Sequence, residues 1–224
     1  MKNFLILIGI LISLGVNAQN IKKDTRPDSV KQDYMNIYQT GRVSTFDLLS
    51  ALSEMGLRIF IFPVSPVFNK TYKLTINLTE YVNGKPVSIK NISPADNNLY
   101  YYYIKDKQYA DYINRIKFVT RDLDSTSVLS VDIMGNIIGG IKLKKHIDRS
   151  HQFYLWRSYS KANWELGEEI PLLVFSSSWY DKKYNIERSC GAVDLSNDRK
   201  ATHELLTNSL HYYLISYKIG DHLK

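Results

Sequence analysis

The sequence predicts a mainly β protein: an antiparallel two-sheet sandwich, with a jelly-roll arrangement among the options, and one helix near the N-terminus. Three observations carry this reading. First, short runs alternate apolar with polar side chains; over Tyr72–Tyr81, the residues Tyr72, Leu74, Ile76 and Leu78 share one face. Second, turn signals punctuate those runs. In Asn83-Gly84 both central positions suit the positive φ of a type I′ turn, and Met134-Gly135-Asn136 marks a second hairpin. Third, no helical stretch alternates with the strands, which argues against a parallel α/β sheet and for a sandwich or barrel.

Taken in order, the elements begin with a leader. Met1-Lys2-Asn3 is a short basic start, Phe4–Val16 is apolar, and Val16 and Ala18 fit a small-residue cleavage site before Gln19. The apolar run is too short to span a hydrocarbon core of ~30 Å. Residues 1–18 therefore read as a signal peptide and residues 19–42 as a polar arm. Residues 43–224 form a single mainly β domain with no transmembrane segment. The expected location is the periplasm or the cell exterior.

Residues 44–55 form the clearest helix. Ser44 can cap it, Asp47 places an acid in the first turn, and Gly56 suits the position just past its end. Strand signals follow at Leu57–Phe62, Tyr72–Tyr81, Pro86–Ile92, Leu99–Ile104 and Ile113–Val119. They continue at Val128–Ile133, Ile137–Leu143, Phe153–Tyr159, Ile170–Trp179, Ile186–Leu195 and Leu210–Ile219. The run from Ile170 is apolar on both faces up to Phe175, as in a central strand covered on two sides. Residues 199–207 can form a second short helix.

Composition narrows the class. The chain has 224 residues and a formal net charge of +7, with 17 Tyr, 3 Trp, 8 Phe and a single Cys. A lone Cys190 cannot form an internal disulfide, so stability must come from a core. The leader Leu5–Ala18, followed by Gln19, and the Tyr- and Asn-rich chain after it resemble exported Bacteroidetes proteins, including many uncharacterised secreted and periplasmic ones. That resemblance implies an envelope or surface location and no particular chemistry.

No sequence motif for catalysis, metal or cofactor is present. There is no Gly-x-Ser-x-Gly elbow, no phosphate-binding glycine loop and no His-Glu-x-x-His. His146 and His151 flank Asp148 without further ligands nearby, so the histidines read as structural or surface groups, and neither metal nor cofactor is expected. Glu165, Glu168 and Glu169 are the acids that glycoside hydrolysis would use, set against a solvated turn before Pro171.

Tyr and Trp pair a flat apolar face with a polar tip, which suits stacking on sugar rings. Trp156, Trp164, Tyr101 and Tyr103 are the aromatic candidates for a binding surface. Lys142 and Lys144 share one strand face and could attract an anionic partner. Nucleic acid is not an expected partner of an exported protein. The functional expectation is a non-catalytic binding module for glycan or another envelope component. The alternatives are a glycan-acting hydrolase and a structural or protein-interaction subunit.

Overall fold

A computed structural model describes residues 44–64, 70–160, 165–189 and 194–222. The predicted leader, the polar arm, Trp164 and Cys190 lie outside the described residues. The chain divides into two compact units, Met1–Leu49 and Ser50–Lys224.

Helix α1 spans Thr45–Glu54. Its start is a reciprocal cap: the Ser44 hydroxyl accepts from the Asp47 N–H at 3.1 Å, and Asp47 Oδ2 accepts from the Ser44 N–H at 2.9 Å. Hydrogen bonding to Ser44 holds the Asp47 carboxyl below its usual range. Gly56 ends the segment at φ +74°, and a Cβ there would meet the Asp122 carbonyl oxygen at 2.8 Å.

The larger unit is a sandwich of two sheets. A four-stranded sheet has the order β1-β6-β7-β8, from Leu57–Pro63, Arg115–Asp122, Thr126–Ile133 and Asn136–Lys144. A six-stranded sheet has the order β13-β9-β10-β14-β2-β3, from Asp194–Leu195, Tyr154–Tyr159, Glu169–Ser177, His211–His222, Tyr72–Val82 and Lys85–Asn91. Two hairpins stand apart: β4 (Leu99–Ile104) with β5 (Lys107–Tyr112), and β11 (Trp179–Asp181) with β12 (Ile186–Arg188).

Alternation decides what each sheet buries. On β14, Tyr213, Ile215, Tyr217 and Ile219 face inward. They pack with Leu74, Ile76 and Leu78 of β2 and with Phe118, Leu129, Val131 and Leu143 of the four-stranded sheet. The opposite face of the six-stranded sheet carries Val174, Tyr212 and Leu214, and helix α2 (Lys200–Asn208) covers it with Ala201, Leu205 and Leu206. Strand β10 is thus buried on both faces, as its unbroken apolar run requires.

The antiparallel sandwich, the Asn83-Gly84 turn and the early helix match the sequence expectation. Two features differ. The expected strand 186–195 is two fragments: β12 closes a small hairpin, and β13 pairs parallel to β9. Strand β5 has no strong sequence signal, because its turn uses Lys105 and Asp106 at φ 47° and 62° instead of Asn-Gly. The second helix, Lys200–Asn208, falls where a short helix was expected over 199–207. No described helix is long and apolar enough to cross a membrane.

Candidate functional site

The inward face of β2 reads Leu74, Ile76, Leu78 and then Glu80. On β14 it reads Ile219, Tyr217, Ile215, Tyr213 and then His211. Both rows turn polar at the same end, because the antiparallel register sets Tyr213 opposite Glu80 and His211 opposite Val82. Their polar ends are therefore diagonal neighbours on one face.

Here the two sheets part between their edge strands β3 and β8. The result is a groove of about 680 Å³ lined by Leu78, Glu80, Ser88, Lys90, Gly140–Lys144, His146 and Tyr213. Ser88 and Lys90 pair with Glu80 and Leu78, so they share the groove-facing side of their sheet. Lys142 and Lys144 lie along the β8 rim.

The groove floor is a hydrogen-bonded network. His211, only 3% exposed, places Nε2 at 3.0 Å from Glu80 Oε1. The Tyr213 hydroxyl donates to the same oxygen at 3.1 Å and accepts from the Lys144 N–H at 3.2 Å, which ties the two sheets together. On the far side of the ring, His211 Nδ1 lies 2.7 Å from the Tyr154 hydroxyl. That hydroxyl accepts from the His146 N–H at 2.9 Å and has the His146 carbonyl at 3.3 Å as a second acceptor for its proton. The His146 ring stands over His211 at 4.1 Å between centroids, with Nε2 3.9 Å from Glu80 Oε1.

Burial shapes the proton chemistry of this floor. It holds His211 below the usual histidine value against the opposing pull of Glu80, which favours neutral imidazole near neutral pH. Burial also pushes the Tyr154 hydroxyl up to about 12, and burial with the Glu80 carboxylate raises Tyr213, so both phenols keep their protons. A neutral histidine, a carboxylate and two protonated phenols can bind, orient and exchange protons.

A second groove, of about 500 Å³, is lined by Glu165, Glu168, Glu169, Ile170, Pro171 and the segment Ser196–Asp198. Here Glu169 Oε1 accepts from Asn77 Nδ2 at 3.0 Å and from the Ser216 hydroxyl at 2.5 Å. Glu165 and Glu168 are exposed on the turn, where the Glu168 N–H donates to the Glu165 carbonyl at 3.2 Å.

The aromatic candidates separate sharply. Trp156 is 2% exposed and is no stacking surface. It sits between the sheets, stacked on Phe175 at 4.6 Å, with its indole N–H 3.3 Å from both Asp122 Oδ1 and Ser127 Oγ. Its strand alternates correctly, but sequence alone does not say which face the second sheet covers. Tyr101 and Tyr103 are 58% and 69% exposed on one face of β4. On the other face, Tyr100 stacks on Tyr102 and Tyr102 on Tyr109. Neither Tyr101 nor Tyr103 lines the groove that holds Lys142 and Lys144.

Glu80, His146 and His211 were not singled out by sequence as a set. A usable signal existed for two of them: Glu80 and His211 each end an otherwise apolar alternating face. His146 has no such signal, because its placement depends on the path of the chain after β8.

The family model described as "Domain of unknown function (DUF5041)" matches residues 28–221, and the chain belongs to that family. No curated protein and no solved structure matches it.

Proposed function

We propose that this member of DUF5041 is a non-catalytic binding module that holds an anionic glycan of the bacterial envelope in the β3–β8 groove. One observation carries the reading. Lys90, Lys142, Lys144 and His146 line an open groove whose one carboxylate among the described residues, Glu80, is already engaged by His211 and Tyr213. The lysines are thus left to a ligand, and a carboxylated or sulfated sugar chain supplies the complementary charge. The leader Met1–Ala18 supports a role outside the cytoplasm. Tyr101 and Tyr103, exposed on β4, lie outside this groove and take no part in the reading.

The test is binding of the purified protein to a polyuronate, a sulfated glycan and a neutral glucan at low and high salt. Binding should favour the anionic chains and weaken with salt, because exposed charges are screened over about 8 Å at physiological ionic strength. Lys142→Glu with Lys144→Glu should weaken it at least about tenfold without altering the circular dichroism spectrum. Equal binding to neutral glucan, or none to either anionic chain, overturns the reading.

A second reading has one observation of its own. Asp198, from a separate segment, joins Glu165, Glu168 and Glu169 around one groove, and glycoside hydrolysis needs paired carboxyls. Release of reducing ends from the same glycans, lost in Glu168→Gln, would favour a hydrolase.

A further inference from the structure

The groove floor holds more than a hydrogen-bond network requires. One ligand atom from each of Glu80, His146 and His211 lies within 4.8 Å of the others. These residues come from three elements: the end of β2, the segment after β8 and the start of β14. We propose that Glu80, His146 and His211 form a divalent transition-metal site of the zinc type, with one coordination position open to the groove.

Chemistry selects that class of ion. Two imidazoles and one carboxylate suit Zn²⁺ and its neighbours, whereas Ca²⁺ and Mg²⁺ favour all-oxygen sets. Three protein ligands with a fourth position left open is the pattern of a site that takes an exogenous ligand. The opening is physical, because the His146 side chain is 53% exposed and His211 only 4%. One ligand is anchored in the core and one stands at the mouth.

The surroundings are already arranged as a second shell. A metal-bound histidine usually hands its other ring N–H to an acceptor, which fixes the tautomer. The Tyr154 hydroxyl can serve His211 Nδ1 in either sense. When it donates to Nδ1, Nε2–H points at Glu80 and closes a hydrogen bond. When it donates instead to the His146 carbonyl, it accepts Nδ1–H and leaves the Nε2 lone pair facing Glu80 for a cation. Tyr213, donating to Glu80 Oε1, orients the carboxylate. The segment bearing His146 is pinned on both sides: the Lys145 N–H donates to the Ser125 carbonyl at 2.9 Å, and the Asp148 N–H to Gln152 Oε1 at 2.8 Å. The three lysines around the groove do not oppose the ion once an anion occupies the open position. That coupling rests on the binding function proposed above; the metal site itself does not.

The test uses metal alone, with no glycan present. Chelator-treated protein is titrated with Zn²⁺ by calorimetry and with Co²⁺ by visible absorption. One equivalent should bind, Co²⁺ should show the intense bands of a low-coordinate centre, and Zn²⁺ should raise the melting temperature. His146→Ala, at an exposed position, and Glu80→Gln should each abolish the stoichiometric step, while His203→Ala on α2 should not. Tyr154→Phe should weaken affinity by about 10–100-fold and keep the Co²⁺ band shape. Failure to bind either ion, or binding that survives both His146→Ala and Glu80→Gln, overturns the site. Such a failure leaves the anionic-glycan reading untouched, since that assay contains no metal.

Discussion

The floor of the β3–β8 groove and the Glu165–Glu169 groove both bear carboxylates, yet they are assembled differently. In the first, Glu80 meets His211 across a sequence separation of 131 residues, and His146 arrives from a third segment. The side chains touch because sheet register and the packing of two sheets leave them no alternative. In the second, Glu165 and Glu168 come from one short turn and point to solvent, and Glu169 follows directly as the first residue of β10. Local clustering of acids is easy to see in a sequence and easy to produce without function. Convergence from distant strands is hard to see and structurally constrained. The first groove therefore has rigid support, and mutations should report that difference.

The largest effect should come from removing that support. Trp156 stacks on Phe175, which in turn lies against Tyr154 and Tyr213. Trp156→Ala should cost about 3–5 kcal/mol of unfolding free energy in a urea titration. Should its stability match wild type, Trp156 does not hold the floor. Tyr213→Phe comes next. It strips a hydroxyl from Glu80 and from the Lys144 N–H, and should cost about 1–3 kcal/mol by the same measurement.

Acid titration provides a reference outside both grooves. Arg149 Nε donates to Glu187 Oε1 at 2.5 Å, and this bond, helped by Ser178, holds the Glu187 carboxyl below its ordinary value of 4.5. Its folded value lies under its unfolded one, so its stabilisation is complete above pH 4.5 and fades as pH falls through the folded value. Unfolding followed from about pH 6 to pH 3 should show that loss, and Glu187→Gln should flatten it. Substitutions in the second groove should matter least. Glu165→Gln and Glu168→Gln should change stability by no more than about 0.5 kcal/mol, as exposed surface changes do. A larger loss at either would show that this groove, too, is structurally constrained.

Much of the frame was legible in the sequence. Ser44 and Asp47 announced α1, Asn83-Gly84 announced the β2–β3 turn, and the apolar run from Ile170 announced a strand covered on two faces. Lys142 and Lys144 were legible as a basic strand face, and the structure sets them on the rim of the β3–β8 groove. Trp156 was misassigned because an aromatic at a strand position looks the same whether its face meets solvent or another sheet. The Lys105-Asp106 turn was missed because these residues reach positive φ only when the hairpin around them holds them there.

What the sequence determined by itself follows from interactions within a few residues: caps, turn chemistry and the two-residue period that gives each strand an apolar face. What only the tertiary structure decided follows from register and layering. The pairing of β2 with β14 aligns the two apolar rows, and that alignment brings Glu80 and His211 together at their polar ends. The meeting of the two sheets buries Trp156 and leaves the edge between β3 and β8 open. Those choices are cooperative, because burying one row of side chains fixes the position of every other row on the same pair of strands.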